Sequence, residues 1–404
     1  MLPYTQARLK VIEAVSGLRR LPRTEDIALA EAAGRILSAP ISADRDYPPF
    51  DRAARDGFAV RATDAAAPGA KLKLIGEIKA GDEFRGQVGS GECAQIMTGA
   101  AVPRGADSVV MVEQTRAEGQ HVVLKLGVVC GQNFVPRGSE ARAGQQLLAP
   151  GTRLGFAEMA VAAQAGAERV RVARQPRVAI LSTGDEVVEL GKQPGPHQIR
   201  NSNNYSLSVQ TQLAGGVPVA LGNSPDREPE LEALIRRGLQ EDVLILSGGV
   251  SVGKYDLVEV VLKKLGAEFF FDAIAIRPGR PAVFGLCQGK PVFALPGNPV
   301  STMVTFELLA VPALDILGGA APRALPLFKA RLAAPVKQKS PLTHFLPACA
   351  TWEKGEAEVR ELPWQGSGDI VALAGANCFL VVPQEKLEWS AGEWVDVLPR
   401  RGML

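Results

Sequence analysis

The residues of this chain best suited to chemistry are carboxylates, arginines and glycines gathered in a few short loops. Three apolar, strand-like runs end in LSTGDE (181–186), SGGVSVG (247–253) and LPGNPVS (295–301), and RPGRP (277–281) follows a fourth apolar run. Glycine lets backbone N–H groups turn toward a ligand, and a following helix start adds the positive end of its dipole. Each loop can therefore cradle a phosphate or another oxyanion. Each also has a plainer explanation. Asn298 is a good N-cap and Pro299 a favoured first helical residue, so LPGNPVS also reads as helix initiation. LSTGDE also reads as an acidic turn, and RPGRP as a rigid one. Four such loops at neighbouring strand ends argue for one composite anion pocket.

SGGVSVGKY places Gly248, Gly253 and Lys254 at GxxxxGK spacing, but a P-loop needs Ser or Thr next, to ligate Mg²⁺, and Tyr255 stands there. The amide cradle survives without the metal-binding hydroxyl, which leaves a P-loop phosphotransferase as the alternative enzyme class. Earlier in the chain, PPFDRAARDGFAVRA (48–62), IMTGAAVP (96–103) and PRGSEARAG (136–144) hold Asp56, Thr98 and Glu140 among charged or turn-forming residues. Taken alone, such strings read equally well as solvated turns and linkers.

The elements that must position these loops follow from periodicity. Leu9, Ile12, Val15 and Leu18 predict an opening amphipathic helix over 5–20, and a similar spacing predicts a second helix over about 26–37. Short β-rich runs at 71–78, 107–114 and 121–129, separated by Gly, Pro and Asp, predict an all-β insertion. A short helix (155–167) and a strand (168–174) close it, and the helical segments on either side of the insertion could pack together. From 177 onward, strands at 177–182, 218–222, 242–247 and 291–295 alternate with helices at 202–216, 228–240 and 256–266, and a long helix begins near Pro299. Near-continuous apolar strands alternating with helices predict a parallel sheet covered on both faces, with ligands beyond the strands' carboxyl ends. Short strands after 326 predict a small C-terminal β domain. The expected domains are 1–44 with 136–174 as a discontinuous helical/β connecting domain, 45–135 as the β insertion, 175–321 as the α/β domain and 322–404 as the C-terminal domain.

Composition narrows the class. The chain has 404 residues, enough for about three average domains. Its 46% hydrophobic and 22% charged residues describe a folding, globular protein. A net charge of +2 gives no case for a general nucleic-acid or membrane-surface binder, so any anion site is local. Five scattered cysteines form no CxxC pair, and three scattered histidines disfavour a zinc enzyme or a Ser-His-Asp hydrolase. The charged N-terminus and the lack of an 18-residue apolar run predict a cytoplasmic protein without a membrane span.

In this order, PPFDRAARDGFAV, IMTGAAVP, LSTGDE, QIRNSNN (198–204), LSGGVSVGKYD, RPGRP and LPGNPVS resemble the molybdopterin molybdenumtransferase family, the bacterial MoeA proteins and the gephyrin E domain. The resemblance spans essentially the whole chain. It implies a multidomain α/β plus β architecture: a MogA-like doubly wound parallel sheet domain, an all-β insertion, a small helical/β connecting domain and a C-terminal β-barrel-like domain. It implies an elongated homodimer whose cleft lies between the α/β domain of one chain and the insertion of the other. The implied reaction inserts molybdate into adenylylated molybdopterin with Mg²⁺-dependent release of AMP.

Carried over motif by motif, the resemblance makes Asp56, Thr98, Glu186, Asp226 and Asp256 catalytic candidates. It makes Asp185, Glu186, Asp226 and Asp256 candidate Mg²⁺ ligands. Candidate substrate contacts are Asp185, Asn201, Ser202 and Asn203, then Ser247, Gly248, Gly249, Ser251 and Gly253. Arg277, Arg280, Pro296, Gly297, Asn298, Pro299 and Ser301 complete that group. Departures from the family pattern are Arg55 where methionine is usual, Glu140 where an aspartate is usual, and arginines in the PGKP-like loop. A planar guanidinium there suits bidentate oxyanion contact. The chemistry is coherent: amide cradles and arginines offset the charge of a pyrophosphate and a tetrahedral dianion, while hard carboxylates suit Mg²⁺. A transient contact with a molybdopterin adenylyltransferase, a tungstate-inserting paralogue and a gephyrin-like scaffold without turnover belong to the same resemblance.

Overall fold

The computed structural model describes residues 1–18, 22–249, 257–338, 340–353 and 355–403. Ser251, Gly253 and Asp256 lie outside the described residues, as do Lys254 and Tyr255.

The central sheet has six strands in the order Val217–Ser224, Arg177–Thr183, Val243–Ser247, Lys290–Leu295, Val283–Cys287 and Glu268–Phe271. The first four are parallel, with Ser182 level with Ser247 and Ser247 level with Leu295, so their carboxyl ends share one edge. Alternate side chains of each strand feed two separate cores. Val178, Ile180, Val243 and Ile245 face one, and Ala179, Leu181, Leu244 and Leu246 face the other. The first core includes residues of the helices Asn203–Ala214 and Pro299–Thr305; the second takes residues of Glu228–Gly238 and Leu257–Lys264. This is the doubly wound arrangement expected of apolar strands. It differs at one edge: Val283–Cys287 runs antiparallel, joined to Lys290–Leu295 through a tight turn at Gln288 and Gly289. The apolar run 269–276 also divides. Glu268–Phe271 stays in this sheet, while Ile276–Arg277 pairs with Thr343–His344 of the C-terminal unit.

The continuous helical stretch Pro299–Leu317 has the length and hydropathy of a membrane span, yet 78% of it is buried inside the fold. It includes a π-helical turn at Phe306–Ala310 and has Pro312 in its last part. Pro312 has no N–H to give the Leu308 carbonyl; the buried Arg8 donates to that oxygen instead, at 3.0 Å. Arg8 belongs to the opening helix Tyr4–Ser16, whose Ala7, Val11 and Val15 enter the first α/β core. Asp315, on the same long helical stretch, is fully buried between Arg153 at 3.2 Å and Arg323 at 2.7 Å, which ties the connecting segment to this unit.

The helix predicted over 26–37 does not form. Thr24–Ala28 is a strand, antiparallel to Arg169–Ala173, followed by a single 3₁₀ turn at Leu29–Glu31. Long-range pairing wins over local helical spacing, and Leu37, Ile41, Leu154, Ala162, Val170 and Val172 make a small core beneath it. The insertion is a six-stranded sheet, Ser108–Met111, Gly57–Val60, Glu92–Ile96, Lys71–Ile78, His121–Leu124 and Thr115–Glu118 in spatial order. In the C-terminal unit, Thr343–Glu353, Glu356–Glu361, Phe328–Leu332, Trp394–Pro399 and Cys378–Val382 close on themselves as a five-stranded barrel.

Candidate active site

At the carboxyl edge of the parallel strands lies a cavity of about 750 Å³. Glu186, Asp226, Asn201, Ser202, Asn203, Ser247, Gly248, Gly249, Gly297, Asn298 and Pro299 line it. The strand ends and loops are locked by buried polar groups. Ser182 Oγ lies 3.0 Å from Asn201 Oδ1 and 2.9 Å from Asn204 Oδ1. Asn203 Nδ2 donates to Ser247 Oγ and to the Gly297 carbonyl, both at 2.7 Å, joining three loops through one side chain. Gly248 has φ +94°, and a Cβ there would meet the Thr183 carbonyl at 2.6 Å; only glycine lets this loop close over the strand. Thr183 Oγ1, Asn201 Nδ2 and Asn203 Oδ1 are buried along this wall without a hydrogen-bond partner among the described residues. Buried polar groups are normally paired, so three unpaired ones along one wall leave hydrogen-bonding capacity for a polar partner.

The acidic rim is electrostatically tense. The Asp226 N–H donates to Asp185 Oδ1 at 3.2 Å. Burial first, and then the charges of Asp185 and Glu186, push the Asp226 carboxyl above its ordinary range, against the lowering effect of a hydrogen bond to that carboxyl from the Asp185 backbone. A divalent cation would relieve that repulsion, and carboxylate oxygens are the donors Mg²⁺ takes. Among the described residues no three His, Cys, Asp or Glu side chains form a metal-holding group. An all-protein metal cage is thus not found among the described residues, and Glu186 with Asp226 could at most contribute one or two carboxylate ligands to a cation completed by other oxygen donors.

A second cavity, of about 680 Å³, adjoins the first through Asn298 and Gly368, which line both. Arg277, Arg280, Pro296 and Ser301 lie on its wall. Neither Arg277 nor Arg280 has a carboxylate partner among the described residues. Burial, and next the charge of Arg277, pull the His344 imidazole below its usual range, keeping a neutral ring beside that cation. Two guanidinium groups without a carboxylate partner in one cavity are chemically suited to an oxyanion.

Asp56 and Thr98 come together, but elsewhere. Asp56 Oδ1 accepts from the Thr98 N–H at 2.5 Å and from Thr98 Oγ1 at 2.7 Å. The backbone bond first and the hydroxyl bond second hold the Asp56 carboxyl below its ordinary range. Gly57 next to it permits close strand pairing, since a Cβ there would lie 1.8 Å from the Val110 carbonyl. Neither Asp56 nor Thr98 lines either cavity of its own chain. Glu140, the departure near this pair, accepts from Arg52 at 2.9 Å. A further cavity of about 640 Å³ lies at the opposite strand ends, beside Arg177, Asp242 and Lys290, and holds none of the expected site residues.

Sequence reasoning missed part of the wall. Trp364, Gly366, Ser367 and Gly368 of the C-terminal unit reach the cavities, with Ser367 accepting from Asn298 Nδ2 at 2.9 Å and from the Val300 N–H at 3.0 Å. Arg200 and Ile199 were within the quoted QIRNSNN string and also line the first cavity.

Comparison with known proteins shows the family. Family models match in three blocks: "MoeA N-terminal region (domain I and II)" over 2–166, "Probable molybdopterin binding domain" over 179–316 and "MoeA C-terminal region (domain IV)" over 329–399. A Molybdopterin molybdenumtransferase of Haemophilus influenzae is 36% identical over 100% of both chains. One of Bacillus subtilis is 33% identical over 96% of this chain and 93% of its own. Crystal structures of molybdopterin biosynthesis MoeA proteins from Pyrococcus horikoshii superpose with TM-scores of 0.76 and 0.79, at 33% and 28% identity. They cover 99% of this chain and 99% and 100% of their own. The chain belongs to the molybdopterin molybdenumtransferase family, transferases of molybdenum cofactor biosynthesis.

Proposed function

We propose that the chain inserts molybdate into adenylylated molybdopterin and releases AMP, giving molybdenum cofactor. The observation that carries the reading is the pair of adjoining cavities, one with a glycine turn, unpaired buried amides and an acidic rim, the other with two unpaired arginines. The first suits the adenylylated pterin: the Gly248–Gly249 turn, whose Gly248 N–H is held by the Leu295 carbonyl at 3.2 Å, would let phosphate approach the backbone closely, while Asn201 and Asn203 would offer polar edges to the heterocycle. The second suits molybdate, held by Arg277, Arg280 and Ser301. Asp185, Glu186 and Asp226, with Asp256 beyond the described residues, would hold Mg²⁺, which when bound neutralises phosphate charge and polarises the anhydride to be cleaved. Ser247, Gly297, Asn298 and Pro299 keep the strand-end loops in register, and Asn298 stands where the two cavities meet.

The reading includes a homodimer. Asp56 and Thr98 are held together away from their own chain's cavities, so their use in catalysis requires a second copy to bring them in. The helix Asn203–Ala214 exposes Tyr205, Val209 and Leu213 at successive turns, a surface a second copy can cover. The domain division at 44, 135, 174 and 321, a cytoplasmic location and a transient contact with a molybdopterin adenylyltransferase complete the proposal.

The test is AMP release from adenylylated molybdopterin, with and without Mg²⁺, and with molybdate or tungstate. AMP formation that needs Mg²⁺ and yields a metal-loaded pterin is expected. Substrate binding without turnover would make the chain a carrier, and tungstate preferred over molybdate would reassign the oxyanion.

A further inference from the structure

Arg200 is the sole cationic side chain among the described residues lining the first cavity, whose other charged groups are Glu186 and Asp226. It has no carboxylate partner among the described residues; its guanidinium makes one long hydrogen bond, to Gln193 Oε1 at 3.4 Å. Its backbone is nonetheless fixed. Ile199–Arg200 pairs with Val187–Val188. The Ile199 N–H donates to the Glu186 carbonyl at 2.8 Å and the Asn201 N–H to the Val188 carbonyl at 2.9 Å. The next residue, Asn201, is 2% exposed and held at Ser182. An underused guanidinium thus stands on a rigid base at the mouth of a cavity whose other charges repel anions.

A phosphate entering that cavity meets carboxylates unless a cation intervenes, and a planar guanidinium can hold two phosphate oxygens at once. Arg277 and Arg280 line the neighbouring cavity and not this one, so they do not supply the charge here. The lining of the same cavity also includes apolar side chains: Ile199, next to Arg200 in the chain, is 60% exposed, and Ile370, 38% exposed, comes from the C-terminal unit. Together they offer a flat ring a hydrophobic edge next to the cation.

We infer that Arg200 is the phosphate clamp for the nucleotide half of the substrate, holding the nucleoside monophosphate that leaves while Ile199 and Ile370 flank its base. This deepens the proposed function and rests on it. The two cavities then divide their anions, with Arg200 serving the nucleotide phosphate and the Arg277 and Arg280 pair serving the metal oxyanion, on either side of Asn298 and Gly368. Arg200 is a binding and positioning residue, and no proton transfer is assigned to it.

The test is equilibrium binding of AMP and of adenosine to the full chain, wild type, Arg200→Ala and Arg200→Lys, with tungstate binding measured on the same preparations. Loss of a charge-assisted contact predicts AMP affinity lower by about tenfold or more in Arg200→Ala. Adenosine and tungstate binding stay unchanged, and Lys restores part of the AMP affinity. Arg277→Ala is expected to show the reverse pattern, weakened for tungstate and unchanged for AMP. Equal AMP affinity in wild type and Arg200→Ala overturns the clamp while leaving the transferase reading intact. Equal losses for AMP and adenosine overturn it too, since the residue would then shape the cavity rather than hold phosphate. Wild-type protein that binds neither AMP nor adenosine overturns both the clamp and the reading beneath it.

Discussion

The charge state of Asp226 carries the most information of any single residue in the site. Its carboxyl is raised by burial and by Asp185 and Glu186. A raised folded-state value means that folding favours the protonated form. The stabilising contribution is fully present below the ordinary carboxylate range and is lost as pH rises through the raised value. At neutral pH the ionised group therefore costs stability, and Asp226→Asn, neutral at every pH, removes that cost. The variant is expected to melt higher than wild type at neutral pH, with the difference shrinking in acid, and to lose AMP release. Thermal melts across that pH range check the first part; an unchanged melting temperature at neutral pH would show that the rim is not under charge repulsion. Asp56 has the opposite sign: its lowered carboxyl adds stability above the ordinary range, lost as pH falls through the lowered value. The two aspartates are thus set apart by their surroundings, one accepting hydrogen bonds and the other facing like charges.

Elements decide whether those residues are aimed. Gly57 lets Gly57–Val60 lie close against Ser108–Met111 on one side, while Glu92–Ile96 on the other side leads directly to Thr98, so the position of this strand sets where Asp56 meets Thr98. Gly57→Ala forces a Cβ into the Val110 carbonyl, so the strands must part; overpacking of this kind costs about 1–3 kcal/mol. Chemical denaturation is expected to show that loss, and Asp56 is expected to return toward its ordinary carboxylate value in a carboxyl NMR titration. A wild-type-like Asp56 titration would mean that the strand pairing does not position it. Elements with a local signature were readable in advance. The four parallel strands are continuous apolar runs because both faces are covered, and Asn298 with Pro299 does begin a helix. Elements that depend on distant partners were not. Thr24–Ala28 is a strand only because Arg169–Ala173 lies beside it, and Val283–Cys287 turns back through a Gln-Gly pair that carries a weak hairpin signal. The 364–368 segment reads as an uncharged turn, and its role rests on Ser367 meeting Asn298 and Val300 across the fold. In the site, the glycine turn after Val243–Ser247 and the arginines of RPGRP have a signature in their residue types, whereas Arg200 of QIRNSNN shows its place only once the cavity is formed.

At the scale of the whole molecule, the question is why two parts of one proposed catalytic apparatus stand apart. Asp56 and Thr98 sit on the insertion, bonded to each other, and line neither cavity of the α/β unit. The opening helix, Arg8 at Leu308, and the buried Asp315 between Arg153 and Arg323 fasten the surrounding segments to that unit. Moving the connecting segment to bring the pair over would break that buried ion cluster, and leaving a buried charge unpaired costs about 3–5 kcal/mol. A two-fold dimer reaches the same end without breaking anything, because the insertion of each copy can serve the cavities of the other. This arrangement makes a quantitative prediction. Asp56→Asn and Glu186→Gln are each expected to be inactive as pure dimers while remaining folded. Unfolded and refolded together in equal amounts, half of the dimers are mixed, and each mixed dimer holds one site with both substitutions and one with neither. Recovered AMP release is expected at about a quarter of the wild-type rate. Val209→Asp in both chains places a charge in the exposed apolar stripe and is expected to abolish the recovery by separating the copies. If mixed samples stay inactive while two differently tagged variants co-purify as mixed dimers, Asp56 does not act across the interface. Its exposed pairing with Thr98 would then belong to the insertion's own fold.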